Sequence, residues 1–276
     1  MKTVTLAGEK IPALGQGTWN IGENKTKRAE EIATLQLGLD LGLTLIDTAE
    51  MYGEGKAEQL VGEAIAGRRE HVFLVSKVYP HNASRKGAVA ACERSLKRLR
   101  TDHIDLYLLH WRGSIPLVET LEACSALHKA GKIRYFGVSN FDLEDMQALA
   151  SALGGASVAT NQLLYNLTRR GIEWDLLPWL RKRRIAVMAY SPIEQARLLR
   201  NAKLADFARR YELTPVQVAL GWLLAQDGVV AIPKAARQQH VTENAGALKV
   251  KFSQEQLAEL DQAFPPPAGP VPLEML

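Results

Sequence analysis

Along most of the chain, stretches in which apolar residues recur every three to four positions alternate with short continuous runs of aliphatic and β-branched residues. The first spacing marks amphipathic helices, and the second marks strands buried on both faces. It predicts helices over Lys27–Leu41, Lys56–Ala66, Arg85–Leu99, Leu117–Ala130, Asp142–Ala152, Trp174–Arg183, Leu204–Tyr211 and Thr214–Asp227. The runs between them predict eight strands, over Ala13–Gly17, Leu43–Ile46, His71–Ser76, Ile104–Leu109, Tyr135–Val138, Val158–Asn161, Ile185–Ala189 and Val229–Ile232. Strands that alternate with helices imply a parallel sheet joined by crossover helices. Eight such units in 276 residues fit a closed (β/α)8 TIM barrel of the α/β class better than an open doubly wound sheet. Thr3–Ile11 reads as a small β-hairpin turning at Ala7-Gly8, expected to lie across the bottom of the barrel. No linker interrupts the pattern, so one domain over 1–276 is expected, with 265–276 a Pro-rich tail opened by Pro265-Pro266-Pro267. Its prolines limit its freedom and suggest a lid edge of fixed shape folded toward the mouth.

Composition narrows the partners more than the fold. The chain is 47% hydrophobic and 23% charged, as in ordinary soluble proteins. No run approaches the ~18 apolar residues a membrane span needs. The N-terminus turns polar too soon for a secretory signal. Net charge is +4, and the basic residues are scattered apart from short runs such as Arg181–Arg184, which suits a solvated helix end. A nucleic-acid groove would gather them on one face with stacking aromatics. The two cysteines, Cys92 and Cys124, are far apart, so neither a disulfide framework nor a metal knuckle is expected. A monomer in a reducing cytoplasm is the expectation.

Candidate chemistry appears at the strand ends, near 17, 47, 77, 110, 139, 162, 190 and 233. At or just after them stand Thr18 and Trp19, Asp47, Lys77, His110, Ser139 and Asn140, Gln162, Tyr190 and Ser191, and Lys234. Active sites of such barrels lie at the C-terminal face. Any one of these residues could simply begin a polar loop. As a set, with Asp, Lys and His each directly following aliphatics, they point to one shared polar site. Taken singly, Asp47 and Lys77 are also compatible with a structural ion pair, Tyr52 with a loop aromatic and His110 with a core histidine.

These segments carry a resemblance. Leu45-Ile46-Asp47-Thr48-Ala49-Glu50-Met51-Tyr52-Gly53, Val75-Ser76-Lys77-Val78, Leu106-Tyr107-Leu108-Leu109-His110-Trp111, Gly137-Val138-Ser139-Asn140-Phe141, and Ile232-Pro233-Lys234 with Glu243-Asn244 resemble the aldo-keto reductase family in order and spacing. The similarity covers almost the whole chain and is strongest to short bacterial reductases of methylglyoxal and other small aldehydes. It implies NAD(P)H-dependent carbonyl reduction, an oxidoreductase acting on CH–OH groups, with Asp47, Tyr52, Lys77 and His110 as the tetrad. Tyr52 would be the general acid, its pKa lowered by Lys77, with Asp47 holding Lys77 and His110 orienting the carbonyl.

The coenzyme residues implied are Gly17, Thr18, Trp19 and Asp47, with Tyr190 stacked on the nicotinamide and Ser139, Asn140 and Gln162 on its carboxamide. Ser191, Pro192, Ile193, Glu194, Gln195 and Leu198 would cover the pyrophosphate, and Ile232, Pro233, Lys234, His240, Glu243 and Asn244 would take the adenosine end. Gly15 and Gly17 are expected to let the backbone approach the coenzyme. No Gly-x-Gly-x-x-Gly fingerprint occurs, which argues against a Rossmann domain but not against a coenzyme on a barrel. Ala235 and His240 depart from the family's hydroxyl and arginine at the 2′-phosphate, with Arg237 nearby. NADPH is still expected over NADH, because Lys234 remains and neither changed position is acidic. Trp19, Tyr52, Tyr79, His110 and Trp111 would line an open pocket for a small carbonyl substrate. Two other functions compete: a slow nicotinamide-binding regulatory subunit on the same fold, and a phosphate-sugar isomerase or aldolase. The second leaves the tetrad without a use.

Overall fold

The computed structural model describes residues 2–154 and 158–276. It opens with the expected hairpin, β1 (Thr3–Leu6) paired antiparallel with β2 (Glu9–Pro12). Ala7 and Gly8 form its two-residue turn, both with positive φ (48° and 89°), the geometry that matches the twist of paired strands. Val4, Leu6 and Ile11 are buried, so the hairpin seals the barrel's lower end with one apolar face.

Eight parallel strands follow in chain order: β3 (Gln16–Gly17), β4 (Leu45–Asp47), β5 (Phe73–Val78), β6 (Ile104–Leu109), β7 (Ile133–Ser139), β8 (Thr160–Leu164), β9 (Ala186–Tyr190) and β10 (Val229–Ala231). The first and last meet. Gly15 N–H donates to the Ala231 carbonyl at 2.9 Å, Gly17 N–H to that of Pro233 at 3.0 Å, and Ala231 N–H to that of Ala13 at 2.9 Å. The two glycines, expected to let the backbone approach a coenzyme, also take part in closing the barrel. A Cβ on Gly17 would stand 2.8 Å from the Ile232 carbonyl oxygen, and one on Gly15 would stand 2.5 Å from the Leu45 side chain. They let strands close on each other.

The helices are α1 (Arg28–Asp40), α2 (Lys56–Ala64), α3 (Arg85–Leu99), α4 (Leu117–Lys129), α5 (Leu143–Ala152), α6 (Leu176–Lys182), α7 (Ala202–Arg210), α8 (Pro215–Ala225), α9 (Gln238–Gly246) and α10 (Gln254–Ala263). Several start where the sequence supplies a cap. Ser84 and Asp142 accept from Gly87 and Asp145 N–H, and Thr214 forms a capping box with Gln217 just ahead of Pro215. The periodicity did not predict α9 or α10, because each buries little: Val241 and Asn244 in one, Leu260 in the other. The Ser253–Gln256 capping box was the available signal for α10.

Strand ends fall within three residues of expectation, but several starts fall later. Leu43 and Val72 are apolar and buried, yet Leu43 N–H closes the end of α1 on the Gly38 carbonyl and Val72 N–H closes a turn on that of Arg69. The apolar runs therefore begin under helix ends before the ladder starts. Fully buried strand residues such as Leu45, Ile46, Val75, Leu106, Leu108 and Leu163 anchor the barrel, each worth roughly 1.5–3 kcal/mol of burial.

Candidate active site

The strand ends gather polar side chains at one end of the barrel. Lys77 on β5 and Asp47 ending β4 lie on neighbouring strands and are both buried. Side chains alternate along a strand, so Lys77 reaches Asp47 while Ser76 points outward and donates to Glu58 of α2 at 2.6 Å. Lys77 Nζ donates to Asp47 Oδ2 at 2.7 Å, to the Thr48 carbonyl at 2.9 Å and to Tyr52 Oη at 3.1 Å. All three protons of the ammonium are thereby used. Gln162 on β8 donates to the other Asp47 oxygen at 2.7 Å, across the barrel mouth.

Burial pushes the Tyr52 phenol above its ordinary value. The Lys77 ammonium pulls it down by less, and Asp47 adds to the rise. This reverses the expected lowering: the cation is in place, but desolvation outweighs it. The Lys77 ammonium, although burial opposes it, is held above the usual lysine value by Asp47 and Tyr52. A neutral phenol therefore faces a charged ammonium. His110 packs edge-on to Tyr52 with centroids 5.9 Å apart. Burial first, and the Lys77 charge second, lower its pKa to about 2, so it is neutral at ordinary pH. Its Nδ1 is buried without a hydrogen-bond partner among the described residues.

The expected carboxamide residues form one chain of bonds. Ser139 Oγ donates to the Gln162 carbonyl at 2.9 Å, and Asn140 Nδ2 to Ser139 Oγ and to the His110 carbonyl, both at 3.2 Å. Tyr190 Oη donates to Asn140 Oδ1 at 2.9 Å. Thr18 is buried and donates to the Asp47 carbonyl. The ring wall is continuous: Trp111 lies 4.9 Å from His110 and 5.8 Å from Tyr79, which stacks on His81. Trp19 is 42% exposed and makes no ring contact with the other four among the described residues.

After β9, Pro192 and Leu198 are buried, Ser191 and Ile193 half-buried and Gln195 exposed. Glu194 is buried but already engaged by Asn166, Arg169 and Arg197. Beyond β10, Ile232, Pro233, Ala235 and Asn244 are buried and Glu243 half-buried. Lys234, Arg237 and His240 are each exposed. Sequence reasoning assigned no part to Glu50, Asn166 or Arg169. Glu50 accepts from Tyr79 N–H and Asn82 Nδ2, both at 2.9 Å, tying the loops that carry Tyr52 and Tyr79. Its signal was a carboxylate inside the Asp47–Tyr52 motif. Asn166 and Arg169 follow β8 in no recognisable pattern.

A barrel with these side chains at its mouth defines the class. The chain belongs to the aldo/keto reductase family, whose model matches residues 13–264. It is 52% identical to methylglyoxal reductase YeaE of Escherichia coli (strain K12), covering 100% of this chain and 99% of that protein. It is 34% identical to glyoxal reductase of Bacillus subtilis (strain 168), covering 98% and 95%. An aldo/keto reductase from Klebsiella pneumoniae, crystallised with NADP and acetate, superposes with a TM-score of 0.97 at 50% identity, covering 100% of this chain and 99% of that one. No helix among the described residues is long and apolar enough to cross a membrane.

Proposed function

We propose that the chain reduces small aldehydes and ketones, methylglyoxal among them, to alcohols with NADPH, NADH serving less well. The observation that carries this is the neutral Tyr52 phenol, 3.1 Å from a charged Lys77 and beside a neutral His110. The kinship with YeaE and with the NADP-bound Klebsiella enzyme supports the substrate class and the coenzyme.

The residues fit a nicotinamide coenzyme. Tyr190 is half-buried at a strand end and suits a stacked ring, while Ser139, Asn140 and Gln162, joined through the Ser139 hydroxyl and the Gln162 carbonyl, suit a carboxamide. Exposed Lys234 suits a 2′-phosphate, and α9 after it carries His240, Glu243 and Asn244 for the adenosine end. Bound there, NADPH supplies the hydride. The chain's residues do the rest. Tyr52 Oη gives its proton to the carbonyl oxygen as negative charge develops there. Lys77 stabilises the phenolate left behind, and Asp47 keeps Lys77 charged and in place. The neutral His110 ring carries one N–H. Leaving that proton off the partnerless Nδ1 avoids an orphaned buried donor, so Nε2 donates to the substrate oxygen. Trp19, Tyr79 and Trp111 line the pocket.

The test mixes purified protein with NADPH and methylglyoxal and follows loss of NADPH absorbance. Turnover should be ready, and Tyr52→Phe should lower it at least ~100-fold with NADPH affinity unchanged. Near-normal turnover in that variant would sink the assignment of the acid. Tight NADPH binding without carbonyl turnover in the unaltered protein would favour a regulatory subunit.

A further inference from the structure

The loop after β9 is held in an unusual shape. Ser191, Glu194, Gln195 and Ala196 all have positive φ, between 46° and 68°, which side-chain-bearing residues adopt only when their surroundings impose it. The restraint comes from the segment after β8. Asn166 Nδ2 donates to the Ser191 carbonyl and to Glu194 Oε2, both at 2.9 Å. Arg169 grips Glu194 Oε1 through Nε at 3.1 Å and Nη2 at 2.9 Å.

The same guanidinium has a second partner. Arg169 Nη1 donates to Glu274 in the C-terminal tail at 2.5 Å. That tail is seated rather than loose. Val271 lies over Gly171, where an added Cβ would approach the valine side chain to 3.3 Å. The tail's last residue, Leu276, directs its N–H at Tyr190 Oη, 3.4 Å away. Tyr190 is also the residue from which the strained loop departs.

We propose that Arg169 is a positioning residue that couples the Ser191–Ala196 loop to the C-terminal tail, so that tail seating and loop closure occur together and set the rate at which coenzyme leaves. This rests on the reading above that the loop covers the pyrophosphate of NADPH. The Arg169 fork holds the loop carboxylate through Nε and Nη2 and the tail carboxylate through Nη1, so the two carboxylates together fix where the planar guanidinium sits. Loosening the tail at Glu274 therefore weakens the hold on Glu194, although no tail residue lies in the loop.

Stopped-flow chase of bound NADPH with excess NADP+ reads the dissociation rate directly. Glu274→Gln, remote from the loop, should raise it about 2- to 5-fold, the range a partly exposed ion pair supplies. Arg169→Ala should raise it further, and Arg169→Lys, which keeps the charge but loses the fork, should not restore it. Adding Glu274→Gln to Glu194→Gln should change nothing more, since the link is already cut. A merely structural role would lower the melting temperature and leave the dissociation rate at its original value. That result for Glu274→Gln, in a protein that still binds NADPH, overturns the coupling alone. Failure of the unaltered protein to bind NADPH overturns the coenzyme reading, and the coupling with it.

Discussion

The two ends of the barrel each bury a carboxylate among cations, and they finish the job differently. At the bottom, Asp105 at the start of β6 is 2% exposed. It accepts from Arg69 at 2.8 Å, from Arg134 at 2.7 Å and from Leu74 N–H at 2.8 Å. Arg134 continues to Glu9 of the hairpin. Every bond there runs from protein to protein. At the top, Asp47 and Lys77 are just as buried, but the chain of bonds ends on the Tyr52 hydroxyl, and next to it His110 Nδ1 and Thr48 Oγ1 have no partner among the described residues. Buried polar groups are normally satisfied, so exceptions call for an explanation. The bottom cluster fastens the hairpin to the barrel. On the function proposed above, the top one leaves the Tyr52 hydroxyl and His110 Nε2 for a carbonyl oxygen. On that reading, the same residue types separate a structural ion pair from a working one by how the last hydrogen bond is spent.

The largest expected effect comes from breaking each pair in turn. Lys77→Met orphans Asp47, and Asp105→Ala takes the shared carboxylate from Arg69 and Arg134. Leaving one member of a buried pair alone costs about 3–5 kcal/mol, the lower figure suiting Asp105→Ala because Arg134 is 43% exposed and can turn to water. Both variants should therefore melt early. Only Lys77→Met should also lose carbonyl reduction, whereas Asp105→Ala, assayed below its melting point, should keep turnover close to that of the unaltered protein. Chemical denaturation and a reduction assay on both proteins check this. Equal activity in the two variants would erase the distinction between the ends.

A smaller effect follows from protonation at the top. Folded His110 stays neutral down to about pH 2, whereas an unfolded histidine takes up a proton near pH 6.5. Between those values the unfolded state binds more protons, so stability must fall as pH falls. The slope is up to ~1.4 kcal/mol per pH unit, or about 2 kcal/mol between pH 6.5 and 5. His110→Gln should remove that share. Denaturant midpoints at the two pH values, compared between the two proteins, read the difference, and identical slopes would mean that His110 is not held neutral.

Much of this contrast was legible before any coordinates. Strand ends were readable because aliphatic runs stop abruptly at Asp47, Lys77 and His110. The resemblance implies the Asp47–Lys77 pair, and in the structure the two groups lie 2.7 Å apart. The sign of the Tyr52 shift was not legible, because it depends on how far the ring is desolvated, a property of packing rather than of neighbours in sequence. The bottom cluster was equally invisible: Glu9 and Arg134 are 125 positions apart, and no local pattern announces a bond between them. Gly15 and Gly17 are places of close approach, Gly15 to Leu45 of β4 and Gly17 to the Ile232 carbonyl beyond β10.

The smallest effect lies where the mouth meets the adenosine end of the proposed coenzyme. It sharpens the comparison, because here the candidate groups are exposed rather than buried. Lys234 and His240 both face solvent, and Ala235 offers no hydroxyl. A point charge on a flexible stem grips a phosphate less firmly than a guanidinium, whose fork can bond two oxygens at once. With Lys234 as the principal cation, NADPH should be preferred over NADH by on the order of 10–100-fold, well short of absolute selectivity. His240→Arg should add a bidentate contact to the 2′-phosphate and tighten NADPH about tenfold, ~1.4 kcal/mol. NADH, which lacks that phosphate, should bind as before, and because His240 is exposed the melting temperature should not move. Lys234→Ala should instead bring the two coenzymes together. Fluorescence titrations of all three proteins with both coenzymes decide it. Equal affinities in the unaltered protein would remove NADPH from its place, and His240→Arg tightening NADH as much as NADPH would show that position 240 reads something other than the phosphate.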